Sequence, residues 1–401
     1  MVAPETRVIV NIPSHREVMD EVKVEVLRLV GEKVLEFQEE QFARWFGKPW
    51  QRERDAKGII VCPQCAESPG FERRGKRPRS FYSRNGKVEG ALLQVTCRGC
   101  GCTFSPFVGF FSEKGKRYSR DLVENLVLSA LTVSYHETSR RTERGTGVKA
   151  ASITVWRQLK EAYQRYERRE KKASSSRGGV LVADSTGVKT GKTKRGSPIN
   201  LAIKVTGREV KGKRPVLKKE LVTLSVGKWR EDKLRGVQAD LGITDGEPEL
   251  KGVIARTQPD LPSQRYLFHA PRELYWALYR DGAEGGRAYW EGRLVGELWK
   301  PSAKGMAGVD HLIAELDSRG LHSAATYLKN AGKELFTVTR LKEQGIAPEL
   351  VMVATSAVER EFREINRRTE VGTRWTDEGV ERVARLLEGV RLNGTSLEFY
   401  A

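Results

Sequence analysis

Two cysteine pairs, Cys62-Pro63-Gln64-Cys65 and Cys97-Arg98-Gly99-Cys100, carry the most specific chemistry in this chain. Each pair puts two soft sulfurs on a tight turn, and four thiolates are what one tetrahedral zinc ion requires. The spacing predicts a zinc ribbon, with Ile59-Ile60-Val61 and Leu92-Leu93-Gln94-Val95 as strands leading into the turns. Thirty-one residues separate Cys65 from Cys97, more than the usual run of about 15–20, so an extended, Arg-rich hairpin is expected between the knuckles. Cys102 is a fifth thiol that could compete with Cys100 as a ligand. Two unrelated thiol pairs, or a redox pair, are the alternatives to a ribbon.

Three carboxylates form a second set. Asp184 ends the apolar run Val180-Leu181-Val182-Ala183, where a lone charge is costly unless it meets a cation or hydrogen-bond donors. Asp245 precedes Gly246, and Glu359 stands at the start of a predicted helix in Thr355-Ser356-Ala357-Val358-Glu359-Arg360. Magnesium or manganese takes hard oxygen ligands from separate elements, and two such ions a few ångström apart run phosphodiester cleavage without a covalent intermediate. Singly, each residue has an ordinary explanation: Asp-Gly is a turn, and an Asp after a strand is a cap. Glu361 and Glu364, on the same helix as Glu359, and Glu247 and Glu249, near Asp245, stand as second choices.

The elements that hold these residues belong to a 401-residue chain, long enough for two to four domains. Seventy-one Lys and Arg against 52 Asp and Glu give a net charge of +19, which favours a polyanionic partner, double-stranded DNA above all. Residues 136–177 are locally +7, with 12 basic side chains against five acidic ones. No stretch approaches the roughly 18 apolar residues of a membrane span, and the N-terminal residues lack the apolar core of a signal peptide. The expectation is a soluble protein of the cytoplasm, associated with the nucleoid, with no membrane partner. Five cysteines, four of them in metal spacing, argue against a disulfide framework.

Along the chain, residues 16–46 read as one amphipathic helix with Gly31 as a possible break, packing either on the rest of the chain or on a second copy. Gly47-Lys48-Pro49 ends it. After the ribbon, Ser119-Arg120-Asp121 starts a helix, a second runs over 136–144 to Gly145-Thr146-Gly147, and a third over 151–171. The last two resemble a helix-turn-helix. In that motif Thr154, Arg157 and Gln158 would face the major groove, while Arg140, Arg141, Arg144 and Lys149 hold phosphates. An ordinary helical connector with a charged, solvated face fits the same pattern.

Ser174-Ser175-Ser176 and Gly178-Gly179 mark a linker. Beyond it, strands are expected at 180–183, 198–205 and 220–226, the last two joined by a basic loop holding Arg208, Lys211, Lys213, Arg214, Lys218 and Lys219. A helix over 231–241 and a strand at Tyr266-Leu267-Phe268-His269 follow, then a mostly helical stretch from Pro271 to Ala347 and helices over 356–367 and 376–387. Antiparallel strands followed by helix–strand alternation predict a multi-domain α/β protein with an RNase H-like core and a helical insertion.

Asp184 with Ser185-Thr186-Gly187, Asp245-Gly246-Glu247, Tyr266-Leu267-Phe268-His269 with Arg272-Glu273-Leu274, and Ser356-Ala357-Val358-Glu359-Arg360 with Arg367-Arg368 and Arg374-Trp375 together resemble the DDE transposases of prokaryotic insertion sequences, of the Mutator-like superfamily. The resemblance covers about 180–390. It implies four segments: 1–56 helical, 57–112 zinc ribbon, 113–172 helix-turn-helix-like, and 173–401 catalytic, with an insertion at about 271–347. It also implies that Asp184, Asp245 and Glu359 bind Mg²⁺ or Mn²⁺, with the insertion accounting for the 114 positions between the last two. His269 matches the histidine of the family's Cys/His motif, whose cysteine is replaced here by Tyr266; a strand-end histidine with a satisfied hydrogen bond is the other reading. Arg360, Arg367 and Arg368 would contact phosphates near the scissile bond or form a solvated face. DNA cleavage at element ends and strand transfer by a homo-oligomer is the implied activity. A zinc-ribbon regulator or domesticated transposase that binds DNA without cutting it, or a structure-selective nuclease, are the rivals.

Overall fold

The computed structural model describes residues 15–46, 61–66, 70–106, 116–169, 178–191, 196–212, 214–283, 286–346, 356–370 and 375–392. The expected helix stop at 47–49, the strand residues Ile59 and Ile60, and the linker serines lie outside them. The chain divides into two compact units, the first built mainly from residues up to Leu159 and the second mainly from Lys160 onward.

In the first unit, helix α1 (His15–Phe46) runs unbroken past Gly31. Strands β1 (Phe71–Ser83) and β2 (Gly86–Cys97) form the long antiparallel hairpin expected between the knuckles, and β3 (Thr103–Phe104) joins β2 only at Val95 and Thr96. The rest of that β2 edge is closed by α1. Gln38, buried, accepts from the Leu93 amide at 3.0 Å and donates to the Ala91 carbonyl at 2.9 Å, so two backbone groups left without a strand partner are satisfied. A Cβ at Gly31 would lie 2.2 Å from the Glu89 carbonyl oxygen, so only glycine lets the helix approach this closely. Of the apolar residues expected on α1's buried face, Val22, Val26, Leu29 and Phe37 are exposed and Val30 and Val34 are half-buried. The helix meets the strand along one face, where Leu27 lies against Gly86, Gly31 against Glu89 and Gln38 against Ala91 and Leu93.

Helices α2 (Arg120–Ala130), α3 (Tyr135–Thr146) and α4 (Ser152–Arg169) follow. The Ser134 hydroxyl caps α3 by accepting from the Glu137 amide at 3.1 Å, and Gly147, at φ 73°, ends it in the left-handed conformation. Arg140, Arg141, Arg144, Lys149 and Arg157 are exposed. Gln158 is not available to a groove: it is buried, one turn after Val155, on the inward face of α4. Thr154 is half-buried, its hydroxyl hydrogen-bonded to Tyr118.

The second unit is built on a five-stranded sheet in the order β6-β5-β4-β7-β8. Its strands are β4 (Val180–Val188), β5 (Ser197–Lys211), β6 (Arg214–Val226), β7 (Leu241–Thr244) and β8 (Ser263–Arg265). The first three pair antiparallel, while β7 runs parallel to β4 and β8 parallel to β7. The short helix α5 (Glu231–Leu234) and helix α6 (Pro248–Thr257) cover one face, where Leu234, Val237, Leu250 and Ile254 pack on Leu181, Ala183 and Ala202. A bundle of α7 (His269–Arg280), α8 (Arg287–Leu298), α9 (Ser302–Ser318), α10 (His322–Ala331) and α11 (Thr337–Glu343) interrupts the sheet domain and has its own core around Leu274, Leu294, Leu312, Leu328 and Phe336. Helices α12 (Ser356–Thr369) and α13 (Asp377–Leu392) return, α12 against β4 and α13 against β6.

Three expectations need correction. The basic segment expected as a loop between 205 and 220 is strand almost to its end, paired through Lys211↔Arg214. The helix expected over 231–241 stops at Leu234, because Leu241 is needed as the first residue of β7; α6 was not foreseen. Tyr266 to His269 is not a strand. The preceding Ser263–Arg265 pairs with β7, while Leu267 turns into the bundle core and His269 opens α7.

Candidate active site

The four ribbon sulfurs form a closed site. Sγ of Cys62 lies 3.5 Å from Cys100 and that of Cys65 lies 3.8 Å from Cys97, with all four within 4.8 Å of one another. A tetrahedron with metal–sulfur bonds of about 2.3 Å has sulfur–sulfur edges of about 3.8 Å, so the cluster fits a metal such as zinc without rearrangement. Burial works against the Cys62 thiolate, but the Cys65 and Gln64 amides and neighbouring thiols bring its pKa below the ordinary value. Cys102 stands outside the group.

The carboxylates are positioned by strand register. Residues 180, 182 and 184 of β4 share a face, and Val182 sits opposite Ile243 of the parallel β7, so the position two residues on places Asp245 beside Asp184. Asp245 leaves the strand in a turn: its Oδ1 accepts the Glu247 amide at 2.9 Å. Gly246, at φ +85°, is required there, since any Cβ would strike the Arg265 guanidinium at 2.2 Å. Glu359, from the first turn of α12, meets the imidazole of His269 from α7, Oε1 to Nε2, at 3.3 Å. Two cavities adjoin this point. One, of about 580 Å³, is lined by Asp184, Glu359, His269 and the α12 residues Arg363, Asn366 and Arg367; the other, of about 1210 Å³, by Asp184, Asp245, Glu247, Lys251, Arg265 and Arg280. Asp184, Ser185, His269 and Arg272 border both.

Electrostatically the centre is anionic and under strain. Asp184 is 7 % exposed, and burial, followed by the charges of Asp245, Glu359 and Glu247, pushes its pKa up to about 7 against the single donation from the Ser185 amide at 2.7 Å. Burial and Asp245 also raise Glu247. Burial, then Arg272, lowers His269, which favours the neutral ring despite the opposing pull of Glu359. Such a constellation is relieved by a cation bound among the carboxylates.

Sequence reasoning found Asp184, Asp245, Glu359 and His269, which converge. It quoted Arg272 only as part of a motif, without a role, and missed Arg363 and Asn366. The signal was present in α12, where positions 359, 363, 366 and 367 follow helical spacing and line one cavity. Arg360, one residue from Glu359, is exposed but lies outside both linings. Arg368 is not a phosphate contact: it is 2 % exposed, with its guanidinium 4.6 Å from the centre of the Trp375 ring. Glu361 points away from the cleft and is buried between Lys219 (2.9 Å) and Arg391 (2.8 Å). Comparison of the sequence with protein-family models gives no match, and comparison with curated proteins gives none.

Proposed function

We propose that this protein cleaves and transfers DNA strands as a transposase of the DDE type, using two divalent cations in the cleft of the second unit. The convergence of Asp184, Asp245 and Glu359 carries the reading. The strand order, three antiparallel strands then two parallel ones, interrupted by a helical bundle before α12, supports an RNase H-like core.

The donor set fits Mg²⁺ or Mn²⁺: it is all carboxylate, and the buried Asp184 has one backbone donor, the Ser185 amide. Asp184, which borders both cavities, and Asp245 and Glu359, which border one each, would hold the ions. When bound, the pair would activate the attacking oxygen and stabilise the leaving oxygen. His269, with Nε2 3.3 Å from Oε1 of Glu359, would steady that carboxylate. Arg272, Arg363 and Arg367 would clamp non-bridging phosphate oxygens on either side of Asp184. In the first unit, the exposed Arg140, Arg141, Arg144, Lys149 and Arg157 would hold duplex DNA beside a zinc-bearing ribbon. Joining two element ends calls for a homo-oligomer.

The test is Mg²⁺-dependent nicking of duplex DNA carrying candidate element ends, with the 3′-hydroxyl product offered a supercoiled target. Cleavage and joining by the wild type, lost in Asp184→Ala, Asp245→Ala and Glu359→Ala while DNA binding persists, supports the proposal. Cleavage without joining would make it a nuclease, and binding without cleavage a regulator.

A further inference from the structure

The β5–β6 hairpin outruns the strand beside it. Pairing between β4 and β5 ends at Val180↔Val205, but the β5–β6 ladder continues through Gly207↔Lys218, Arg208↔Leu217, Glu209↔Val216 and Val210↔Pro215 to Lys211↔Arg214. A register shift between Val205 and Gly207 marks where the extension begins. Of residues 206–210, 212 and 216–218, none is buried, and Val210 is 75 % exposed. A two-stranded ribbon without buried side chains is marginal in water and adds little to the core. Its charge adds a second cost. Over 206–218 the sequence has five basic residues, Arg208, Lys211, Lys213, Arg214 and Lys218, against one acid, Glu209, and the ladder pairs position 211 with 214. A polyanion lying along the ribbon removes both costs.

We propose that this extension is an arm that binds the phosphate backbone of duplex DNA about one helical turn from the cleft. Asp184 is level with Leu201 in β5, and Lys211 is ten positions further along the same strand. At a rise of about 3.3 Å per residue this is roughly 33 Å, close to the roughly 34 Å of one duplex turn. A duplex held at Asp184 and following β5 therefore meets the arm with its next equivalent face. This inference rests on the DNA reading of the cleft. The competing role for the same residues is edge protection: β6 is an edge strand, and charged residues with Pro215 discourage pairing with another sheet.

The test measures affinity of the full-length protein for a duplex several turns long as a function of salt. It compares the wild type with Arg208→Gln/Lys211→Gln/Arg214→Gln/Lys218→Gln and with the charge-keeping Arg208→Lys/Arg214→Lys. Loss of three or four phosphate contacts lowers the log–log salt slope by about 3, at about 0.9 per contact, and weakens binding at least tenfold, while the charge-keeping variant follows the wild type. An unchanged slope in the glutamine variant overturns the arm and leaves the cleft reading standing; aggregation of that variant with an unchanged slope assigns the residues to edge protection. An equal loss in the charge-keeping variant also overturns the arm, since shape rather than charge would then be responsible. A wild type that binds no duplex overturns the arm together with the DNA reading itself.

Discussion

The ribbon gathers four thiols and the cleft three carboxylates, yet they solve opposite problems. The ribbon draws Cys62, Cys65, Cys97 and Cys100 from the two ends of one hairpin, and the sulfurs already stand at metal-binding distances. The cleft draws Asp184, Asp245 and Glu359 from three separate elements, and among the described residues only the thiols form a group with every ligand atom within 4.8 Å. Closed thiolate sites serve folding, whereas a site that does chemistry keeps room for its reactant. The difference teaches that repulsion among carboxylates is held by the surrounding fold, while the ribbon's thiols are already gathered as a bound metal would need them.

Several perturbations separate the two sites, beginning with the largest. Stripping zinc with a chelator, or Cys62→Ser, is expected to unfold the ribbon, since structural zinc couples about 10 kcal/mol or more of binding to folding; metal content with limited proteolysis reads this out. A chelator of magnesium should leave the second unit folded. Asp184→Asn should reduce cleavage by about 1,000-fold or more, several kcal/mol of lost stabilisation, yet raise the metal-free melting temperature by removing a buried charge. Glu361→Ala should cost about 3–5 kcal/mol in denaturant melts because it strands Lys219 and Arg391, whereas Glu359→Ala should abolish cleavage at little cost in stability. These two glutamates, two residues apart on α12, are the sharpest internal control.

A pH series probes the same strain. The folded pKa of Asp184, about 7, lies above its ordinary 3.8, so between these values the folded state holds a proton that the unfolded chain releases. Stability of the metal-free protein should therefore fall as pH rises from about 4 to about 7 and level off above. Added Mg²⁺ should raise the melting temperature more at pH 8 than at pH 5, and Asp184→Asn should flatten the profile. The smallest effect expected is the contrast between Arg363→Ala, raising KM about tenfold through one lost charged contact, and Arg360→Ala, leaving it within twofold.

Local pattern made much of this legible. The CxxC knuckles, the strand that delivers Asp184, and the helices carrying Glu359 and Ser134 to Thr146 are written in spacings of a few residues. What failed depended on distant partners. Val22 and Leu29 are exposed because the face of α1 turned to β2 carries Leu27, Gly31 and Gln38, a face that the apolar pattern alone does not single out. Tyr266 to Phe268 is as apolar as a strand, but Leu267 is claimed by the bundle core. Arg368 reads as a phosphate ligand beside Arg367 until Trp375 is found under it. Arg363 was within reach, because the spacing that places Glu359 in the cleft places it there too.

The most direct test of the central claim is a titration of the zinc-loaded protein with Mn²⁺, followed by electron paramagnetic resonance. Two spin-coupled ions beyond the zinc are expected for the wild type, loss of both in Asp184→Asn, and loss of one each in Asp245→Asn and Glu359→Gln, because Asp184 borders both cavities while Asp245 and Glu359 border one each. Mn²⁺ binding that is absent from the wild type, or unchanged by Asp184→Asn, would contradict the account.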